Sequence, residues 1–531
     1  MLEQFALPAA PASAWAAAPA EPLVGPQLRA LMEQIFEVGA NGNGKVSEGV
    51  EPAAPSTNLA TAVLDAFAAA LGGAEHVRTD AASRAAHANG MSYLDLVRQR
   101  LAAPVALPDA VLAPADEAQI AAALGVAAEF GIAVVPFGGG TSVVGGVTPA
   151  RGGLAGVVAL DLARLDALVE LDEISRTATL QAGLTGPRAE ELLQAHGFTL
   201  GHVPQSFERA TIGGYAATRS AGQLSTGWGR FDALVERLRA VTPTGTLALG
   251  RAPGSAAGPD LRQLLLGSEG AFGVITEVTV RVRPLPQARR HEGWRVESFA
   301  AGAALLRRLV QDGPKPDLAR LSDETETAMG VATGGEQGEG CLLLVGWEGG
   351  AADVAGRAFA TAALLQEAGA HPLGEEAAGS WHTGRFRAPR MRDELIDLGL
   401  LVETLETAAS WRDLERVHDV VADRLRGALD GARPVVACHV SHLYPAGASL
   451  YFSVLARRDK EDPVGQWQAA KRAATDALAE QHATITHHHA VGADHAPWLA
   501  AEVGDTGVAL LRAVKAQLDP AGIMNPGKLL T

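Results

Sequence analysis

The chain has 531 residues, 47% of them apolar and 20% charged, with a net charge of −16; at roughly 150 residues per domain it suffices for two to four domains with sizeable cores. No basic run offsets the acidic balance, so no nucleic-acid partner is expected, and any anionic substrate must be met by a local arginine cluster. Cys341 and Cys438, the two cysteines, are too few for a disulfide framework or a thiolate zinc site; with no signal-peptide pattern and no apolar run of the ~20 residues that span a bilayer, a soluble, cytoplasmic protein is expected.

Residues 1–60 read as a loose leader, Ala/Pro-rich from Pro8 to Pro26 and with turns at Asn41-Gly42-Asn43-Gly44. Residues 61–104 carry helical periodicity through Val63, Phe67 and Leu71. A strand at 110–113, a helix through Ala118, Ile120, Ala123, Leu124 and Ala127, and a strand at 133–137 form a βαβ unit. Strands are expected at 157–160, 177–181 and 274–282, with a helix at 187–196 between the last two. Pro284 and Pro286 end the last strand and mark a boundary. Beyond it, strands are expected at 342–347 and 448–455. Helices are expected near 299–311, 351–367, 411–426 and 464–481, and in the tail from Glu502 to Leu518. The domain division is therefore 1–105 as leader and helical region, 106–285, 286–480, and 481–531 as the C-terminal segment. The class is α/β (α+β).

Three segments carry chemistry. In the first, Pro136-Phe137-Gly138-Gly139-Gly140-Thr141-Ser142 follows a strand. Three glycines without Cβ atoms let main-chain N–H groups converge on a pyrophosphate, although a tight turn would use the same residues. It is not the dinucleotide fingerprint G-x-G-x-x-G. The second runs from Pro204 and Ser206 through Thr211 and Gly214 to Thr218 and Ser220. It is dense in glycine and hydroxyls, as suits either a chain wrapped around a large planar ligand or a surface loop. The third, Gly267 to Thr276 with Glu269 and Ile275, is a turn feeding a strand.

The order and spacing of these segments resemble the FAD-binding domain of the vanillyl-alcohol-oxidase family over about residues 106–285. The resemblance implies that FAD is bound by Pro136, Gly138, Gly139, Gly140, Thr141 and Ser142 at its diphosphate. It also implies roles for Pro204, Ser206, Thr211, Gly214, Thr218, Ser220, Glu269 and Ile275 around the diphosphate, adenine and isoalloxazine. Some members attach the flavin through His or Cys near the diphosphate loop. Neither lies between Phe137 and Val147, so non-covalent FAD is expected, with a mixed α/β substrate cap and a site at the interface of cap and FAD domain.

The second half holds Arg390-Met391-Arg392-Asp393, the stretch Cys438–Phe452, and His487-His488-His489. Adjacent residues of a strand point to opposite faces, and helical ligand pairs are spaced i, i+4, so no metal is expected at the triple histidine. Imidazole suits acid/base work near neutral pH. With the flavin segments, Met391-Arg392-Asp393, Tyr444–Tyr451 and His487–Gly492 resemble the alkyldihydroxyacetonephosphate (alkylglycerone-phosphate) synthase family from about residue 85 onward. That resemblance implies exchange of the acyl group of acyl-dihydroxyacetone phosphate for a long-chain alcohol through a flavin N5 adduct, without net redox change. Tyr451, His487, His488 and His489 would be catalytic, and Arg392 and Arg320 would bind substrate, as an arginine fork suits phosphate. A homodimer and a small-molecule or lipid substrate follow from the same likeness, and a lipid substrate is compatible with peripheral membrane contact.

The rival likeness is to FAD-linked D-lactate and glycolate dehydrogenases, oxidoreductases of hydroxy acids. Their two metal-binding histidines fall on Tyr444 and Tyr451, and their glutamate on His488, which removes the expected ligands. The tail Asn525-Pro526-Gly527-Lys528 is nearer that group. The chain departs from the synthase pattern at Gln205, at His439 where the synthase has arginine, and at Ala493-Asp494-His495 where it has basic residues.

Overall fold

The computed structural model describes residues 22–38, 57–101, 106–332 and 339–530. The turns expected at 41–44, and most of the Ala/Pro-rich leader, lie outside the described residues. The chain divides into two compact units. One comprises 49–222, 230–284 and 488–531. The other comprises 1–48, 223–229 and 285–487. This course is not linear: residues 57–101 belong with the Gly-rich loop, and the triple histidine is split between His487 and His488.

In the first unit, the periodic stretch after residue 60 is three helices, Thr61–Leu71, Ala81–Ala86 and Tyr93–Arg100. The first ends where Gly72 turns left-handed at φ 79°, a conformation that favours glycine. The expected strands and helix beyond residue 110 are present as Ala110–Leu112, Glu117–Phe130 and Ile132–Phe137. The two strands are not neighbours, however. Both run parallel to Gly156–Asp161, which lies between them. All three are buried along most of their length, as a sheet covered on both faces requires. A five-stranded sheet, in the order Leu168–Asp172, Thr177–Gln181, Val274–Arg281, Val235–Thr242, Gly245–Leu249, shares a continuous apolar core with this layer. The tail helix Leu499–Leu518 is kinked at Gly504, and its Val508, Leu511, Val514 and Leu518 pack on that core.

The second unit is built on a seven-stranded sheet. Its order is His371–Leu373, Ala288–Val296, Cys341–Gly349, Leu318–Ser322, Val435–Tyr444, Gly447–Arg457, Leu400–Ser410, all antiparallel. Pro445-Ala446 turns the central hairpin, and the helices Phe299–Gln311, Leu414–Ala428 and Pro463–Glu480 accompany the sheet. A helix, Pro26–Phe36, also belongs to this unit, where a loose leader was expected. Register matters most here, because paired residues on adjacent antiparallel strands share a face. Glu406 pairs with Tyr451, and Tyr451 pairs with His439. Three strands thus bring a carboxylate, a phenol and an imidazole into one row. Among the described residues no helix is long and apolar enough to cross a membrane.

Candidate functional site

The Gly-rich loop leaves the C-terminal end of Ile132–Phe137, beside another parallel strand, where open α/β sheets bind ligands. Its glycines are there for close approach. A Cβ on Gly138 would stand 2.4 Å from the Thr211 hydroxyl oxygen, and one on Gly139 2.1 Å from the Arg209 carbonyl oxygen. Gly140 turns left-handed at φ 64° with Phe137 pressed against it. The first and second sequence segments therefore touch through backbone. Among the described residues, the main-chain N–H groups from Gly139 to Val143 donate to no protein acceptor. Such a run of unsatisfied donors is costly unless an anion or water takes them up. It fits the diphosphate of FAD. The Ser142 hydroxyl accepts from Gly146 N at 2.9 Å and braces the loop.

The other expected cofactor residues divide by what their side chains already do. Thr211 caps the helix Ile212–Thr218 by accepting from Gly214 N, and Thr218 donates to Gly214 O at 2.9 Å. Their hydroxyls shape the cradle by holding that short helix. Ser220 is buried against His202 Nε2 at 3.1 Å. Pro204 and Ser206 lie in the turn that brings Arg209 to Gly139, and Pro136 packs against Gly270. Ile275 is a buried strand residue paired with Ala240. Glu269 is buried and engaged within the protein. Its carboxylate accepts from Val491 N at 2.9 Å and Gly492 N at 2.8 Å, so it anchors the segment after the triple histidine. Burial raises its pKa to about 7 against those hydrogen bonds.

Arg209 was not among the residues singled out from sequence. Its guanidinium is half-buried, has no hydrogen-bonded or ionic partner among the described residues, and is pulled below the usual arginine pKa by burial. An unpaired arginine whose backbone touches Gly139 is available to a bound diphosphate. The expected result for Arg209→Ala is at least tenfold weaker FAD binding, with weakened ADP binding and unchanged thermal stability of the flavin-free protein. Titration of the flavin-free chain with each ligand measures it, and equal affinities would remove Arg209 from the site. Asn525, which the sequence offered only as part of the tail motif, ties the tail in place: its side-chain amide donates to the carbonyls of Gly146 and Glu269 at 3.0 and 2.6 Å.

In the sheet unit, Tyr451 is half-buried on Gly447–Arg457. Burial raises its phenol pKa, opposed by a hydrogen bond with Thr404 and the charge of Arg392, and assisted by Glu406 and Glu403. Arg392, on the helix Ala388–Asp397, is thus close enough to act on the expected proton-handling group. Glu406 reaches the histidine segment: it accepts from His487 N at 2.5 Å and from the Thr486 hydroxyl at 2.6 Å. His487 is buried, and its Nε2 lies 2.5 Å from the Tyr444 hydroxyl. His442 stands beside it, ring centroids 5.1 Å apart. The segment is neither strand nor helix, so both geometries weighed for the three histidines are replaced by an irregular loop. His488 and His489, in the other unit, are half-buried and meet edge to face at 4.7 Å. Arg320, the other arginine expected to bind substrate, lies on Leu318–Ser322. Its guanidinium is engaged internally, 2.8 Å from Glu326 and 3.0 Å from His439 Nε2.

Residues 108–249 match the family described as FAD binding domain, and residues 285–529 that of FAD linked oxidases, C-terminal domain. Together with the donor-lined loop, these matches define an FAD-dependent enzyme of the PCMH-type flavoprotein fold. Alkyldihydroxyacetonephosphate synthase of Trypanosoma brucei brucei is 30% identical over 484 residues, covering 86% of this chain and 78% of the relative. A solved alkyldihydroxyacetonephosphate synthase superposes with a TM-score of 0.77 at 25% identity, over 94% of this chain and 92% of that one. An uncharacterized FAD-linked oxidoreductase of Escherichia coli strain K12, YgcU, is 30% identical over 402 residues, 72% of this chain and 82% of its own. The chain belongs to the flavoprotein family that includes alkyldihydroxyacetonephosphate synthase, with FAD-linked oxidoreductases among its relatives.

Proposed function

We propose that the chain is a synthase-like enzyme that exchanges the acyl group of acyl-dihydroxyacetone phosphate for a long-chain alcohol. The carboxylate leaves as a fatty acid, the alcohol oxygen forms the new ether bond, and the hydroxyl proton is released, so there is no net redox change. The observation that carries this reading is the pair of phenols on the central hairpin, one in the Glu406–Tyr451–His439 row and the other hydrogen-bonded to His487. FAD, when bound, supplies an electron-accepting ring that activates the substrate carbon. The protein's part is proton handling. Because burial holds the Tyr451 phenol in its protonated form, Tyr451 starts as a donor through its hydroxyl oxygen. Arg392 supplies positive charge beside that oxygen and so steadies the phenolate left behind. His487 is held through its main chain by Glu406 and through its ring by Tyr444, which leaves it oriented for proton transfer. The lipid substrate, contact with a membrane surface and a homodimer belong to the same reading.

A second reading, an FAD-linked oxidoreductase of a hydroxy acid or alcohol, is favoured by the tail Asn525-Pro526-Gly527-Lys528, whose Asn525 is built into the cradle. One experiment separates the two. The FAD-loaded protein is incubated anaerobically with acyl-dihydroxyacetone phosphate and a long-chain alcohol, and in parallel with D-lactate, glycolate and simple alcohols. Ether product with stoichiometric fatty acid is the expected outcome. Lasting bleaching by a hydroxy acid, with no ether formed, would transfer the assignment to the oxidoreductase.

A further inference from the structure

We infer that His439 is a positioning residue whose ring, held by the Arg320–Glu326 ion pair, is the floor on which the Tyr451 phenol rests. His439 and Tyr451 are register partners on adjacent strands, and their rings stack with centroids 4.9 Å apart at 21°. The imidazole is 6% exposed. Its Nδ1 lies 2.9 Å from Glu326 Oε1 and its Nε2 3.0 Å from an Arg320 guanidinium nitrogen. Nδ1 also lies 3.0 Å from a second Arg320 guanidinium nitrogen, so the cation meets both ring nitrogens while the Glu326 carboxylate meets Nδ1. The clamp is itself anchored. Glu326 N donates to Asp323 Oδ1 at 2.7 Å, and Cys438 N donates to Asp323 Oδ2 at 2.8 Å.

Such a ring serves Tyr451 in two ways. It keeps water from one face of the phenol and fixes the ring plane, so the hydroxyl points along one line. It also carries no charge, since burial and Arg320 both hold its pKa below the usual histidine value. The charges that bear on the phenol then come from Arg392 on its helix and from Glu403 and Glu406 on the neighbouring strand. Around the clamp itself stand Arg320, Glu326 and Asp323. A network that served stability alone would depend on the hydrogen bonds of His439. A floor depends on its aromatic face.

That difference sets the test, which rests on the reading of Tyr451 as the proton-handling group. His439→Phe keeps the face and loses the hydrogen bonds, while Arg320 and Glu326 still pair with each other. His439→Gln keeps hydrogen-bonding capacity and loses the face. In the FAD-loaded full chain, ionisation of Tyr451 is followed by tyrosinate absorbance, with Tyr451→Phe identifying its contribution. The Phe variant is expected to match the wild type in both phenol ionisation and turnover. The Gln variant is expected to ionise about tenfold more readily, a shift of about one pKa unit, with turnover reduced about tenfold at unchanged KM. A tolerated Gln with a damaging Phe would overturn the inference, as would two variants that both leave ionisation and turnover unchanged. If Tyr451→Phe itself turns over normally, it is the reading of Tyr451 that fails.

Discussion

Tyr451→Phe is expected to lower turnover by about 10²- to 10⁴-fold, the range a positioned acid/base group contributes, while the flavin spectrum and FAD stoichiometry stay those of the wild type. The substitution removes one oxygen and keeps the ring that stacks on His439. The sheet register with Glu406 and His439 is main-chain and is untouched. The oxygen leaves behind Thr404, which can turn its hydroxyl elsewhere, and Arg392, whose charge then has no phenol to act on. The change is therefore chemical with little structural disturbance, and KM should move far less than kcat. Turnover within a factor of a few of the wild type would remove Tyr451 from the chemistry.

The second large effect is expected at the diphosphate loop. Gly139→Ala should yield a protein with at least tenfold less bound FAD, read as the flavin-to-protein absorbance ratio. The added Cβ would stand 2.1 Å from the Arg209 carbonyl oxygen, 2.6 Å from its carbon and 2.9 Å from the Ala210 Cα. All three are backbone atoms, so no rotamer change relieves the contact, and the loop must separate from the 204–211 turn. Overpacking of this kind costs about 1–3 kcal/mol, occasionally more. Total stabilities are about 5–15 kcal/mol, so the chain should still fold with its anion cradle displaced. Gly125→Ala is the control: a Cβ there meets nothing within 4 Å, and the residue is exposed on the helix Glu117–Phe130, where alanine is the better helix former. A yellow Gly139→Ala protein with full FAD content would sink the account of the loop.

Some elements could be read from sequence because one face or one loop carries the whole signal. The strand Ile132–Phe137 is a short apolar run ending in three glycines, and both the strand and the loop after it are present. Helices such as Phe299–Gln311 and Ala351–Glu367 bury one stripe and expose another. Strands such as Ala288–Val296 and Leu400–Ser410 escaped notice. The first opens on exposed charged residues before a buried half that includes Arg295, and the second runs buried through Glu403 and Glu406. Their partners lie far along the chain, so no local period announces them. Arg209 was equally silent: an arginine in a loop looks like any surface charge until its lack of a partner is seen.

By itself, the sequence offered a candidate anion cradle, because a cradle made of absent side chains is a local property written in consecutive residues, and the order of three such segments carried the resemblance that implied FAD. It also determined which phenols and imidazoles the second half offers. Only the tertiary structure decided how those groups are used. Pairing across three strands put Glu406, Tyr451 and His439 in one row; Arg320 is engaged by Glu326 and His439, and the Glu269 carboxylate holds the main chain at Val491 and Gly492. Such contacts join residues up to 223 positions apart, and they are set by strand register and by the need to pair buried charges, neither of which is visible in a local window of the chain.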